Sequence, residues 1–385
     1  MKKVIIMFFI MFLLIPFVKA EENNTVLAKS AKSAIIMEYS TGKILYENNS
    51  HEKMAPASMT KMMSLLLIME AIENGNLKWD DMITVSSNAS SMGGSQILLE
   101  TGEQMSVEDL VKGVSIASGN DAVVALAEAV AGTEENFVNM MNDKAKELGL
   151  NDTNFKNCHG LDEANHYSSA HDMAVIAREL LSHEKILEFS SVYETYLREN
   201  TDRKIWLVNT NKLVRFKQGV DGLKTGYTET AGYCLTATMK KDNMRIIATV
   251  MGESDASTRN SEVASMLDYA FANYKLEKLL STDSVVKKKS ISKAKVGNVE
   301  IVPTKDVTIL LKKTDNITPT YDIKLNNIKA PIKKGDVVGK LIVKNDSETL
   351  QEIDLTVKKD VKKANVLELY LKYLKDILSG DIKVS

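Results

Sequence analysis

Cysteine and histidine are scarce in this 385-residue chain, and their scarcity excludes several classes of protein. The two cysteines, Cys158 and Cys234, are too few for a disulfide-stabilised scaffold, and we expect them to be buried free thiols. The five histidines form no His-Glu-x-x-His pattern and no cluster with cysteine, so no metal site is predicted. The Gly-rich patterns of phosphate and dinucleotide sites are also missing, and no cofactor is expected.

An excess of one charge is missing as well, and so are long apolar runs after the first twenty residues. The 49 Lys and Arg residues nearly balance the 51 Asp and Glu residues, which argues against a nucleic-acid partner. Lys2 and Lys3 precede an apolar run over residues 4–18, so residues 1–20 are predicted to be a secretion signal. An uncleaved membrane anchor is the alternative. In either case we expect the remaining chain to work outside the cytoplasm.

A serine and a lysine stand at the start of the most apolar stretch of the remaining chain. Pro56 comes shortly before the apolar run of residues 62–72, so a buried helix is predicted to begin near Pro56. Ser58 and Lys61 then share one face of this helix. A buried lysine with a lowered pKa can act as the base that makes a serine nucleophilic. The alternative is a core helix with an ordinary hydroxyl and a snorkelling lysine. The same spacing recurs elsewhere, for example at Ser182 and Lys185, but only the Ser58 copy opens a strongly apolar helix.

Two further patches carry polar groups of the kind found in active sites. Ser118 and Asn120 follow a predicted helix that a capping box at Ser106 begins, and they could relay a proton and hold an amide. Alternatively, one of them caps the next helix. Lys224-Thr225-Gly226 lies in a strand-like stretch, where it could bind a substrate carboxylate. The alternative is an ordinary strand followed by a glycine turn.

Taken together and in this order, the three patches resemble the motif set of the serine penicillin-recognising enzymes. More narrowly, the chain resembles the low-molecular-mass penicillin-binding proteins that are D-alanyl-D-alanine carboxypeptidases. The stretch of residues 155–162, the run of residues 224–234 and Arg259 support this narrower match. The middle motif reads Ser-Gly-Asn where many members of the superfamily have Ser-Asp-Asn. The resemblance covers roughly residues 28–357.

The resemblance implies a role for each motif residue. Ser58 would be the nucleophile, Lys61 its general base and Ser118 the group that passes a proton to the leaving D-alanine. The backbone N–H groups of Ser58 and Tyr227 would form the oxyanion hole. The residues implied to bind substrate are Asn120, Lys224, Thr225, Gly226, Tyr227 and Arg259.

The implied activity is removal of the terminal D-alanine from peptidoglycan stem peptides, with β-lactams as inhibitors and a role in peptidoglycan maturation and cell shape. A β-lactamase, a D,D-endopeptidase and a non-catalytic cell-wall binding protein are the alternatives. Glu147 begins a Glu-x-x-Leu-Asn pattern of one β-lactamase class, but we interpret it as a surface residue in the last turn of a helix.

The implied fold is an α/β (α+β) fold with a β-lactamase/transpeptidase-like domain, in which helices flank an antiparallel sheet, followed by a small all-β domain. We expect the catalytic domain to span residues 21–280 and the β-sandwich to span residues 284–357. Residues 358–385 are predicted to form an amphipathic C-terminal helix that associates with the membrane surface. The alternative is a helix that packs on its own domain or on a partner.

Overall fold

The computed structural model describes residues 26–378, so the predicted secretion signal lies outside the described residues. The first unit is built around a five-stranded antiparallel sheet with the order β2-β1-β9-β8-β7. The predicted hairpin of residues 33–48 is confirmed, and it forms one edge of this sheet. The strands of this unit are β1 (Ser33–Glu38), β2 (Ile44–Asn48), β3 (Met82–Thr84), β4 (Gln104–Ser106), β5 (Glu194–Leu197), β6 (Ile205–Val208), β7 (Val220–Thr228), β8 (Gly232–Lys241) and β9 (Met244–Glu253).

Helices cover both faces of the sheet because its central strands alternate between two apolar cores. In β9, Ile247 and Met251 face the core under α1 and α6, whereas Ile246, Ala248 and Val250 face α9. The predicted α+β fold is therefore confirmed. The helices are α1 (Lys61–Glu73), α2 (Ser87–Ser90), α3 (Val107–Ala117), α4 (Asn120–Ala131), α5 (Glu134–Glu147), α6 (Ala170–Leu180), α7 (Leu187–Ser190), α8 (Leu213–Phe216) and α9 (Ala256–Asn273).

An all-β domain follows, as the sequence predicts. Its main sheet has the strand order β11-β12-β16-β15-β14, and apolar side chains such as Ile301, Leu341 and Leu355 fill its core. β10 directly continues α9 and pairs with β13, so the stretch that we expected to end the first domain contributes to the second. The strands are β10 (Tyr274–Leu280), β11 (Lys287–Lys289), β12 (Val299–Pro303), β13 (Val307–Lys312), β14 (Thr320–Leu325), β15 (Gly339–Asn345) and β16 (Glu348–Val357).

The final helix, α10 (Val366–Leu378), begins later than predicted. The predicted start at residue 358 is wrong because Val361 and Ala364 are buried in the β domain, and the segment around them pairs with two other segments of that domain. The lysines of residues 358–363 thus belong to the β domain and not to the helix. Within residues 26–378, no helix is both long enough and apolar enough to cross a membrane.

Candidate active site

Ser58 lies in a 3-10 turn, Ala57–Thr60, that leads directly into α1. The predicted helical start near Pro56 is confirmed, although the α-helix proper begins at Lys61. Ala57 has a φ of +47°, a left-handed conformation that is rare for alanine and that costs conformational energy. The surrounding packing maintains this turn, which places the Ser58 hydroxyl 3.0 Å from the Lys61 amine.

Lys61 is completely buried, and its amine nitrogen contacts three oxygens. Two are acceptors only, Asn120 Oδ1 and the His159 carbonyl, each at 2.6 Å, and the third is Ser58 Oγ at 3.0 Å. Burial lowers the pKa of Lys61 from its ordinary value to about 7, an effect that the Asp121 carboxylate opposes. A neutral amine has two N–H donors and one lone pair. The two carbonyl oxygens accept the two donors, so the lone pair is left for the Ser58 hydroxyl proton.

The loop of residues 155–162 supplies one of these acceptors, and a close backbone contact fixes its position. A side chain at Gly160 would place its Cβ 1.9 Å from the Ala57 carbonyl oxygen, and Gly160 has a φ of +92°. Only glycine allows both the contact and the conformation. The next turn of α1 is attached to the same loop, because Ser64 Oγ donates to the Cys158 carbonyl at 2.6 Å.

Ser118 and Asn120 lie at the junction of α3 and α4, as predicted, but neither side chain caps α4. Gly119 occupies the cap position, and Asn120 instead accepts from Lys61 and donates to the Gly93 carbonyl at 2.7 Å. The capping alternative is therefore wrong. Ser118 has a φ of +64°, and its buried hydroxyl has no hydrogen-bond partner among the described residues. A buried hydroxyl without a partner is uncommon in folded proteins and suits a site that binds a ligand.

Asp121 is a site-forming residue that the sequence analysis missed. Its buried carboxylate accepts from the backbone N–H groups of Ile97 and Leu99, at 3.0–3.1 Å. These contacts hold the segment of residues 93–99 against α4, beside Asn120. Residues 86–101 are rich in Ser and Gly without a clear period, which predicts an exposed loop or a linker. This prediction is wrong in part, since Ile97 and Leu99 are buried and residues 87–90 form α2.

Lys224, Thr225 and Gly226 lie on β7, an edge strand of the described main sheet. A Cβ on Gly226 would lie 2.8 Å from the Pro56 carbonyl oxygen and 3.2 Å from the Met59 nitrogen, so the glycine lets β7 approach the Ser58 turn. Lys224 is buried, and its pKa is well below the ordinary value because of burial first and then the nearby charges of Lys61 and Arg259. β7 and the turn that contains Ser58 therefore place the amines of Lys61 and Lys224 near the Ser58 hydroxyl.

Thr225 and Tyr227 complete this strand. Thr225 Oγ1 donates to Thr210 Oγ1 at 2.8 Å, and Thr210 carried no signal in the sequence. The Tyr227 side chain is half exposed and packs against Tyr233, with ring centroids 4.3 Å apart. The next residue, Thr228, donates to Asp162 Oδ1 at 2.8 Å and so joins β7 to the loop of residues 155–162.

The sequence pattern predicts that Arg259 precedes a helix running to Tyr274, but the structure places it inside α9. Its guanidinium group is buried and donates to Asn260 Oδ1 at 2.9 and 3.1 Å. Burial also lowers the pKa of Arg259. The charge of Arg259 contributes, after burial and Lys61, to the lowered pKa of Lys224.

We assign no catalytic role to the side chains of the histidines and cysteines. His159 and His166 have pKa values of about 4, chiefly because burial disfavours the charged imidazole, so both are neutral at pH 7. Cys158 and Cys234 are buried and free.

Glu147 has the surface role that we expected. It ends α5 and pairs with Lys144, which also pairs with Glu70. Glu70 lies nine residues after Lys61 on α1, about 14 Å along the helix axis. Glu147 is thus attached to the far end of α1 and is not placed to activate a water at Ser58.

The structure thus brings together the three motifs on which the resemblance to the serine penicillin-recognising enzymes rests. Comparison with known proteins specifies the family. The D-alanyl-D-alanine carboxypeptidase family matches residues 18–255, and the penicillin-binding protein 5 C-terminal domain matches residues 274–363. The chain belongs to the D-alanyl-D-alanine carboxypeptidase family.

Individual relatives and solved structures match this chain over 63–90% of its length. The chain is 51% identical to D-alanyl-D-alanine carboxypeptidase DacF of Bacillus subtilis over 348 residues, which cover 90% of each protein. It resembles the crystal structure of penicillin binding protein 5 from Haemophilus influenzae with a TM-score of 0.74 and 33% identity, covering 87% of this chain and 98% of the other. Penicillin-binding protein D2 of Listeria monocytogenes, solved in an ampicillin-bound form, matches 63% of this chain and 98% of its own, with a TM-score of 0.57 and 31% identity.

Proposed function

We propose that the chain is a serine-type D-Ala-D-Ala carboxypeptidase that acts on peptidoglycan stem peptides through an acyl-enzyme on Ser58. One observation carries the proposal: the two N–H donors of a neutral Lys61 amine have carbonyl acceptors, and its remaining lone pair faces the Ser58 hydroxyl. Lys61 takes the hydroxyl proton while Ser58 Oγ attacks the carbonyl between the two terminal D-alanines. The backbone N–H groups of Ser58 and Tyr227 stabilise the resulting oxyanion.

The other site residues act on the two ends of the scissile bond. Ser118, whose hydroxyl is free of protein partners among the described residues, passes a proton to the leaving D-alanine nitrogen. Asn120 holds Lys61 and the peptide. Lys224 and Thr225 bind the terminal carboxylate, and Arg259 is a further candidate for this contact. Water then hydrolyses the ester and releases the shortened peptide. A β-lactam acylates the same serine and leaves slowly.

Incubation with a tripeptide ending in D-Ala-D-Ala, and separately with benzylpenicillin, tests this function. We expect stoichiometric release of free D-alanine from the peptide and a long-lived penicilloyl adduct. Rapid turnover of penicillin would instead indicate a β-lactamase, which the position of Glu147 does not favour. Absence of both product and adduct would leave only a non-catalytic wall-binding protein.

We also propose that residues 1–20 direct export and that α10 holds the protein at the outer face of the cytoplasmic membrane. The helix is exposed and amphipathic, and Leu367, Leu371, Leu374 and Ile377 lie on its apolar face with 40–66% of each side chain exposed. Such a helix binds in the plane of a membrane interface.

Cell fractionation with intact-mass measurement tests both proposals about location. We expect the membrane fraction to contain a chain that begins at Glu21. The double substitution Leu371→Ser and Leu374→Ser is expected to move the enzyme to the soluble fraction without loss of peptidase activity. A chain that keeps residues 1–20 contradicts the leader, and a variant that stays with the membrane contradicts the role of α10.

A further inference from the structure

Three separate segments meet at the end of the β domain from which α10 leaves. The segments of residues 291–295, 329–334 and 359–364 each pair with both of the others. On one side, Lys295 N donates to the Lys362 carbonyl at 3.0 Å, and on the other, Val361 N donates to the Ile332 carbonyl at 2.8 Å. The backbone of this part of the domain is therefore fixed by hydrogen bonds in both directions.

Each segment buries its apolar residues and exposes its lysines. Ala294, Ile332 and Val361 are among the buried side chains, which belong to the core of the β domain. The lysines between them lie outside that core and are exposed to solvent. We call these eight exposed side chains the basic collar: Lys293, Lys295, Lys329, Lys333, Lys334, Lys359, Lys362 and Lys363.

The positive charge of the basic collar is local and exceeds the negative charge around it, where Glu300 lies near Lys359. The three segments, their turn and the first residues of α10 contain three carboxylates, Asp336, Asp360 and Glu368. Glu368 pairs with Lys295 at 2.6 Å, the one ion pair of the collar within residues 26–378. The other two carboxylates accept backbone N–H groups, from Lys333 and Lys334 respectively, at 2.8 Å. The whole chain, by contrast, has a net charge of −2.

The basic collar adjoins the first turn of α10, the helix that carries the exposed apolar face. Asn365, directly after the third segment, accepts from Glu368 N at 2.8 Å, and Glu368 in turn accepts from Asn365 N at 2.9 Å. This reciprocal cap fixes the start of the helix next to the lysines. A surface with apolar side chains beside clustered lysines matches the two layers of an anionic membrane, acyl chains beneath phosphate headgroups.

We propose that the basic collar is a second membrane contact, in which lysines of the folded β domain bind anionic phospholipid headgroups beside the inserted face of α10. The inference rests on the proposed role of α10 and adds to it a binding surface on the domain itself. Because the collar belongs to a rigid sheet domain, its contact orients the enzyme on the membrane as well as strengthening attachment. The helix supplies affinity for any bilayer, and the collar supplies the preference for negative charge.

Vesicle binding by the chain of residues 21–385 tests the proposal, with phosphatidylcholine vesicles compared with vesicles that also contain phosphatidylglycerol. The collar variant combines Lys329→Gln, Lys333→Gln, Lys359→Gln and Lys362→Gln. Its control makes the same change in net charge on the catalytic domain, at exposed lysines: Lys78→Gln, Lys146→Gln, Lys240→Gln and Lys241→Gln.

At low salt, we expect the wild type and the control to bind the anionic vesicles more tightly than the neutral ones. The collar variant should lose at least about tenfold in affinity for the anionic vesicles and nothing for the neutral ones. Raising the salt concentration should remove this difference, because the interaction is screened. The Leu371→Ser and Leu374→Ser variant should lose binding to both.

Three results would overturn the inference. If the collar variant binds anionic vesicles as tightly as the wild type, or if the control loses as much, the lysines have no specific membrane contact. If the collar variant keeps its vesicle binding but is no longer retained by isolated cell walls, the partner is a wall polyanion and not a lipid. Binding of the wild type to neither vesicle would overturn the role of α10 together with the collar, whereas equal binding to both overturns the collar alone.

Discussion

Replacing Ser58 by alanine is expected to lower the rate of D-alanine release by at least about 10⁴-fold and to abolish the penicilloyl adduct. The hydroxyl is the atom that forms the ester, and no other group can take its place beside Lys61. Removing it leaves the binding residues intact, so the variant should still bind a D-Ala-D-Ala peptide. Steady-state kinetics and intact-mass measurement after penicillin treatment check both expectations.

Ser182→Ala is the matched control, because Ser182 and Lys185 repeat the same spacing outside the site. Ser182 is exposed and donates to the Glu179 carbonyl, while Lys185 pairs with Glu188. We expect wild-type kinetics from this variant. A Ser58→Ala protein that still forms an adduct, or a Ser182→Ala protein that does not, contradicts the assignment of the nucleophile.

Replacing Lys61 by arginine should lower the rate constant for acylation by about 10³-fold, within the range of a lost general base. A guanidinium group remains protonated at every usable pH, so it can donate to Asn120 and His159 but cannot accept the proton of Ser58. The loss should appear equally with peptide and with penicillin, because both acylate the same hydroxyl. Stopped-flow measurement of acylation by a chromogenic β-lactam checks this.

The buried position of Lys61 calls for a second variant, since arginine is larger than the completely buried lysine that it would replace. Lys61→Met keeps a similar length without a basic group and should show a comparable loss. Circular dichroism of both variants establishes that they are folded. Acylation near the wild-type rate in either folded variant would show that another group is the base.

The sequence predicted most of the side chains that the structure brings together, but it missed Asp121 and Thr210 and the backbone groups beside them. Ser58, Lys61, Asn120 and Lys224 have distinctive types at distinctive spacings, and a family resemblance joins them. The His159 carbonyl carries no such signal, because every residue has a carbonyl and only the fold brings this one to Lys61. Its neighbour Gly160 offered a clue, because a close approach between two backbone segments needs glycine. The partner of that approach, Ala57, is about a hundred residues away in the sequence.

Two errors in the sequence analysis have a shared physical cause, the burial of residues by distant parts of the chain. Residues 86–101 look like an exposed polar loop, yet the Asp121 carboxylate holds the Ile97 and Leu99 backbone against α4. Residues 358–365 look like the first turns of a basic helix, yet Val361 and Ala364 complete the core of the β domain. Local pattern cannot reveal either contact, because tertiary packing overrides helical propensity.

The central claim is that Lys61 is a neutral amine when it activates Ser58, and the pH dependence of acylation tests it most directly. Burial gives Lys61 a pKa of about 7. The rate constant for acylation by a β-lactam should therefore rise as the pH increases through about 7 and level off above it, with the fraction of neutral amine. His159 and His166 are already neutral below this range and cannot produce the rise. A rate constant that does not change across this range, or one that rises only near the ordinary lysine pKa of about 10.4, would contradict the account.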